Sequence, residues 1–129
     1  MPTRELVIKT SGSACGNWFR DNLKDSNNGL SIIDADTILY LFEEYNRHIV
    51  MLIEEKANGD IIRNGQGRTI AAVDKMLRCG AKESGIEYWG FKVLQMENTT
   101  PDNSKWIRFS GKIITKEQLK KYLNFQEKP

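Results

Sequence analysis

Glu54 and Lys56 close an uninterrupted apolar run, Ile49, Val50, Met51, Leu52 and Ile53. Apolar residues at both parities describe a strand covered on both faces, and side chains two apart on a strand share a face. Glu54 and Lys56 therefore point to one side of a sheet at the end of a buried strand, where an uncompensated charge is costly. Upstream, the β-branched run Ser31 to Tyr40 carries Asp34 and Asp36, again two apart and on one face. As neighbours, the two strands would converge three carboxylates and one ammonium. Such a cluster repels itself, whereas a hard divalent cation held by carboxylate oxygens makes it favourable and gives it a use.

The elements that must position these groups follow from periodicity and punctuation. Ser13 to Leu23 reads as a short helix, with Ser13 as its cap, Trp18, Phe19 and Leu23 at helical spacing, and Asp25 to Gly29 as its end. The connection Glu43 to Asn46 is short and polar, so the flanking strands should pair as an antiparallel hairpin or close neighbours. Asn58 and Gly59 signal a turn, Ile61 and Ile62 allow a short returning strand, and Asn64 to Gly67 signals a further turn. From Arg68 to Cys79 the spacing of Ile70, Val73, Met76 and Leu77 predicts a helix, with Gly80 as its stop. Strands are expected over Glu87 to Met96 and Lys105 to Phe109, separated by the polar segment Asn98 to Ser104 with Pro101. Gly111 to Ile114 leads to Thr115, which has capping-box spacing to Gln118 and opens a last helix burying Leu119, Tyr122 and Leu123. The tail Gln126 to Pro129 is expected to fray. The order is that of an α/β protein with a mixed sheet flanked by helices, in a single domain over 1–129.

Composition excludes several classes. Forty per cent hydrophobic and 28% charged residues are ordinary for a soluble globular chain. The longest apolar run is too short to span a bilayer, and Met1 to Lys9 carries Arg4 and Glu5 without an apolar export core, so no membrane role and a cytoplasmic location are expected. Cys15 and Cys79 are the only cysteines and read as small core or surface residues rather than a zinc site or disulfide framework. Net charge is only +2, but residues 31–60 hold seven acidic and two basic side chains, leaving seventeen basic against ten acidic elsewhere. Acid concentrates where a metal would sit. Around it stand Arg63, Arg68, Lys75 and Arg78 on one side and Lys92, Lys105, Arg108 and Lys112 on the other, candidates for phosphate contacts.

An acidic residue leading a β-branched strand (Asp36, Thr37, Ile38, Leu39), then a hydrophobic strand ending Glu54, Glu55, Lys56, then a helix, resembles the PD-(D/E)xK nuclease superfamily over Ser31 to Cys79. The order of Phe19, Arg20, Asn22 and Leu23 before the Asp-x-Asp strand, with a glutamine, Gln66, after Glu-Glu-Lys, is also similar to small phage-encoded proteins of this type. The resemblance implies a restriction-endonuclease-like fold and a DNA endonuclease using Mg2+ or Mn2+. It also implies that Asp36 and Glu54 bind metal, with Asp34 as a second aspartate ligand and Ile53 or Glu55 lending a backbone carbonyl, that Lys56 assists the attacking water, and that Gln66 belongs to the site. Two departures stand out: no proline precedes Asp34 or Asp36, and Ile70 stands where the Gln-xxx-Tyr variant of the superfamily has tyrosine. If the protein is phage-encoded, its place is the host cytoplasm.

Each residue also has a plainer reading. Glu-x-Lys at a strand end is common on solvated edges, Gln66 and Arg68 commonly just open a helix, and surface lysines serve solubility. Lone His48 reads as a surface residue, and Gly65 to Thr69 lacks the spacing and lysine of a nucleotide-triphosphate loop. Trp89, Phe91, Trp106 and Phe109 read as core, with base stacking by an exposed one as the alternative. A chain this size offers one site, so cutting two strands calls for a homodimer. Structure-specific cleavage of branched DNA, of the Holliday-junction-resolvase kind, is the leading reading. Alternatives are a site-specific homing or restriction-type endonuclease and a non-catalytic nucleic-acid-binding module, and the hydrolytic centre does not itself choose between DNA and RNA.

Overall fold

The computed structural model describes residues 18, 21, 22, 35–44 and 47–129. Trp18, Asp21 and Asn22 are helical, while the rest of the segment Ser13 to Leu23, as well as Cys15, Asp34, Tyr45 and Asn46, lie outside the described residues. The elements run β1 (Thr37–Glu44), β2 (Arg47–Lys56), α1 (Asn64–Ser84), β3 (Glu87–Met96), β4 (Ile107–Phe109), β5 (Lys112–Ile114) and α2 (Lys116–Leu123). Among the described residues, five strands form one mixed sheet in the order β1-β2-β3-β4-β5. β1 is antiparallel to β2 with Thr37 opposite Ile53, β2 is parallel to β3, and β4 and β5 add antiparallel neighbours. The α/β architecture expected from the sequence, a mixed sheet flanked by helices, is thus the one formed.

The apolar run of β2 is buried on both faces because a different element covers each. Ile49, Met51 and Ile53 join Trp89, Leu94, Met96, Phe109 and Leu119 in a core beneath α2. Leu52 joins Ile70, Tyr88 and Phe91, with Val50, Val73, Leu77 and Ala81 packed around them, beneath α1. β2, α1 and β3 make a parallel β-α-β unit, so the first turn of α1 lies at the strand end that carries Glu54 and Lys56.

Several boundaries differ from expectation. Ile61 and Ile62 form no strand; Asp60 N–H bonds Ala57 O at 3.1 Å in a turn, and Ile62 instead packs under α1. Asn64 to Gly67 is the first turn of α1, not a loop. Gly80 does not stop that helix, because Ala81 beyond it still packs on the core; the stop is Gly85, at φ 76°. β4 is shortened at its start because the Glu97 carboxylate takes the Lys105 amide at 2.6 Å. The tail is tied down at its start: Phe125 packs on Trp89 with ring centroids 5.0 Å apart, and Gln126 N–H bonds Lys121 O at 2.9 Å. Thr115 caps α2 as its spacing predicts, its hydroxyl accepting from Gln118 N–H at 3.1 Å. Gln118 does not return the bond within a capping box; its amide donates to Glu127. Thr115→Ala is expected to lower stability by about 1 kcal/mol, read as a urea midpoint, with Thr115→Ser close to wild type.

Candidate active site at the end of the second strand

Continuing the β1–β2 register one step past Thr37 and Ile53 brings Asp36 level with Glu54. Asp36 is fixed there by the backbone: its Oδ2 accepts from Glu55 N–H at 2.7 Å, so the carboxylate extends the ladder where the strand itself ends. Glu54 is 5% exposed and is the buried charged residue among the described ones. It lies beside Val93 of β3, on the face with Leu52 that α1 covers. Lys56, two residues on, shares that face at the strand's half-open end, beside Gln95. Asp36, Glu54 and Lys56 are thereby gathered by two adjacent strands at one end of the sheet. Asp34 lies outside the described residues.

Glu55 is turned the other way. With Ile53 and Leu94 it faces the α2 side, where its Oε2 accepts from Thr37 Oγ1 at 2.8 Å. There it lines an apolar cleft of about 430 Å³ walled by Leu39, Ile53, Leu94, Met96 and Leu119. Its side chain is therefore separated by the sheet from Glu54, and only its backbone stays on offer at the candidate site. Among the described residues no group of three or more His, Cys, Asp or Glu side chains could hold a metal. Magnesium, which keeps several waters and takes one or two protein carboxylates, fits the donor chemistry of Asp36 and Glu54; a cage of protein ligands does not.

Gln66 has a structural post: its Oε1 accepts from Arg63 N–H at 3.2 Å at the start of α1. The four arginines and lysines of the expected DNA face divide. Arg68 and Lys75, seven apart, are exposed on the side of α1 opposite Ile70, Val73 and Leu77. Lys75 lies roughly 16 Å along the helix from its first turn. Arg63 stands at the N-terminus with Asp60 at 3.7 Å. Arg78 is held by Asp74 at 3.1 Å and lies over the Tyr88 ring, its Cζ 5.3 Å from the centroid. His48 is on the surface, in hydrogen-bond contact with the Tyr40 hydroxyl at 2.8 Å. Trp89, Phe91 and Phe109 are core, while Trp106 is half-buried beneath Arg108.

Two groups escaped the sequence reading. Gln95 stands next to Lys56 in the register of β3, which only the strand pairing reveals. Asp74 lies on the inner side of α1 and collects three donors: Tyr88 hydroxyl at 2.8 Å, Phe91 N–H at 3.1 Å and Arg78. Its signal was present, since Asp74 is four residues from Ile70 and three from Leu77, an apolar-face position holding an acid. Burial would raise its pKa, but the bonds from Tyr88, Phe91 and Arg78 and the charge of Arg78 outweigh it and hold the carboxyl below its ordinary value. Burial and Asp74 push the Tyr88 hydroxyl well above its ordinary value, so it remains a donor. Among the described residues no helix is long and apolar enough to cross a membrane. Comparison with protein-family models, with curated proteins and with solved structures gives no match in any of the three.

Proposed function

We propose that this chain is a small Mg2+- or Mn2+-dependent DNA endonuclease, acting on branched DNA as a homodimer. The observation that carries the reading is the placement of Asp36 and Glu54 level on adjacent strands with Lys56 on the face of Glu54. Asp36 and Glu54 would hold the metal, which would supply Lewis-acid polarisation of a phosphoryl oxygen and a water of lowered pKa. Asp36, its Oδ2 already bonded by Glu55 N–H, would hold its ligand position without reorganisation. Lys56 would bring its ammonium to the same phosphoryl oxygen and offset the charge that grows there. Support for a dimer comes from β1, an edge strand among the described residues whose Ile38 and Phe42 are 63% and 59% exposed.

A non-catalytic nucleic-acid-binding module is the second reading, favoured by Arg68 and Lys75 exposed along the outer side of α1, where meeting a phosphate needs no metal. Labelled four-way junction, duplex and single-stranded DNA, each incubated with magnesium, manganese or chelator, separate the two. The expected result is metal-dependent cutting of the junction. Cutting confined to one duplex sequence would indicate a site-specific enzyme, and binding without cutting under either metal would leave the binding module.

A further inference from the structure

β3 carries an irregularity away from the candidate site. Val50 pairs with Tyr88 but Leu52 pairs with Phe91, so one extra residue is accommodated in β3 at Trp89–Gly90. Gly90 has φ 111°, a backbone that side chains rarely adopt. Asp74 takes the Phe91 amide that the bulge displaces. Over this glycine two cations meet: the position a Cβ would occupy is 3.2 Å from Lys92 Nζ and 3.5 Å from Arg78 Nη2. The two nitrogens are thus no further apart than those two reaches together, close enough for one oxyanion to bridge. Arg78 is pre-positioned by Asp74 and by the Tyr88 ring. The Lys92 side chain makes no hydrogen bond or ion pair among the described residues and is half-buried.

We propose that Lys92 and Arg78, converging over the Gly90 bulge, form a binding site for a phosphate-type oxyanion. The electrostatics agree. Burial, with Arg78 as the next cause and Lys128 as a further one, lowers the Lys92 pKa, and Asp74 only partly opposes this, so the cluster carries excess positive charge that an oxyanion relieves. A guanidinium held in place loses little freedom on accepting a phosphate, and each charge-assisted bond is stronger than a neutral one. Glycine suits this position because its φ of 111° strains any other residue, and an added Cβ would crowd the Lys92 head. Lys92 pairs with Ile53 and shares the sheet face of Ile53 and Leu94, not that of Glu54, so a phosphate held here would be a contact separate from the candidate active site. The inference deepens the DNA contact of the proposed function yet requires neither metal nor cutting.

The test uses the full chain in chelator at constant ionic strength, followed by amide NMR. Inorganic phosphate, added in millimolar steps, should shift Gly90, Phe91 and Lys92 saturably, and a short DNA oligonucleotide should shift the same amides at far lower concentration. Lys92→Gln should weaken oligonucleotide binding roughly tenfold and reduce the slope of log affinity against log salt by about 0.7 to 0.9, one phosphate contact. Lys92→Arg should retain both, and an unchanged urea midpoint shows that Lys92→Gln still folds. Shifts from phosphate alone would assign a free-anion site, and shifts from DNA a backbone site. No saturable shift with either, or a Lys92→Gln protein that responds like wild type, overturns the proposal. Loss of cutting with these shifts intact would count against the nuclease reading alone.

Discussion

Lys56→Ala is expected to slow metal-dependent DNA cleavage by about 10²- to 10³-fold while the protein stays folded, the loss associated with one charge aimed at a developing oxyanion. Lys56 is half-buried at a strand end, so its removal should shift stability by no more than about 0.5 kcal/mol. Glu54→Gln is the more severe change: it keeps the volume of a side chain that is 5% exposed but removes one of two carboxylates, and cutting should fall below detection. The decisive control is Glu55→Ala. Its side chain bonds Thr37 on the far side of the sheet, so its loss should cost about 1 kcal/mol of stability and leave the cleavage rate within about threefold. Rates measured on one junction substrate, alongside urea midpoints for all three variants, check the set. Normal cutting by Lys56→Ala, or loss of cutting in Glu55→Ala with Glu54→Gln active, would reverse the assignment of faces.

The contrast between neighbouring glutamates shows what the sequence made legible. Ile49 to Ile53 specified a strand buried on both sides, and its alternation put Glu54 with Lys56, whereas Glu55, expected among the metal ligands, is turned to the opposite face in the structure. β3 was readable to its last residue for the same reason, since its length and composition leave a helix no periodicity. What alternation could not supply is which helix covers which face, and hence that Glu54 lies under α1 while Glu55 looks into the cleft beneath α2. Glycine was ambiguous for a physical reason. Gly80 and Gly85 both suit a helix end, and the choice between them was made by the tertiary contact of Ala81, which offsets the roughly 1 kcal/mol a helical glycine costs. Gly90 inside a strand was a local sign of a bulge, but its partners Arg78 and Lys92 come from separate elements and become neighbours only when α1 docks. The register that levels Asp36 with Glu54 was likewise set by strand pairing, not by either strand alone.

The largest expected change in stability lies at Asp74, away from the proposed chemistry. Asp74→Ala should destabilise the protein by about 3 kcal/mol, because it strands the Tyr88 hydroxyl and the Phe91 amide, two donors whose acceptor cannot be fully replaced by water. Tyr88 is 6% exposed, which makes its share the more costly. Tyr88→Phe should cost about 1 kcal/mol, and the double variant should be less destabilised than the sum of the two, since removing the hydroxyl relieves the penalty of leaving it unpaired. The pH dependence follows from the direction of the Asp74 shift. A carboxyl whose folded pKa lies below its unfolded value stabilises the fold above that unfolded value, about 3.9, and the increment is lost as pH falls through the lower folded pKa. The gap in unfolding free energy between wild type and Asp74→Asn should therefore be constant from about pH 5 to 7 and narrow below about pH 4. Urea titrations of the two proteins across that range measure it. A gap that widened on acidification would mean that the carboxylate is opposed, not held, by Tyr88, Phe91 and Arg78, and would remove the anchor that positions Arg78 beside Lys92.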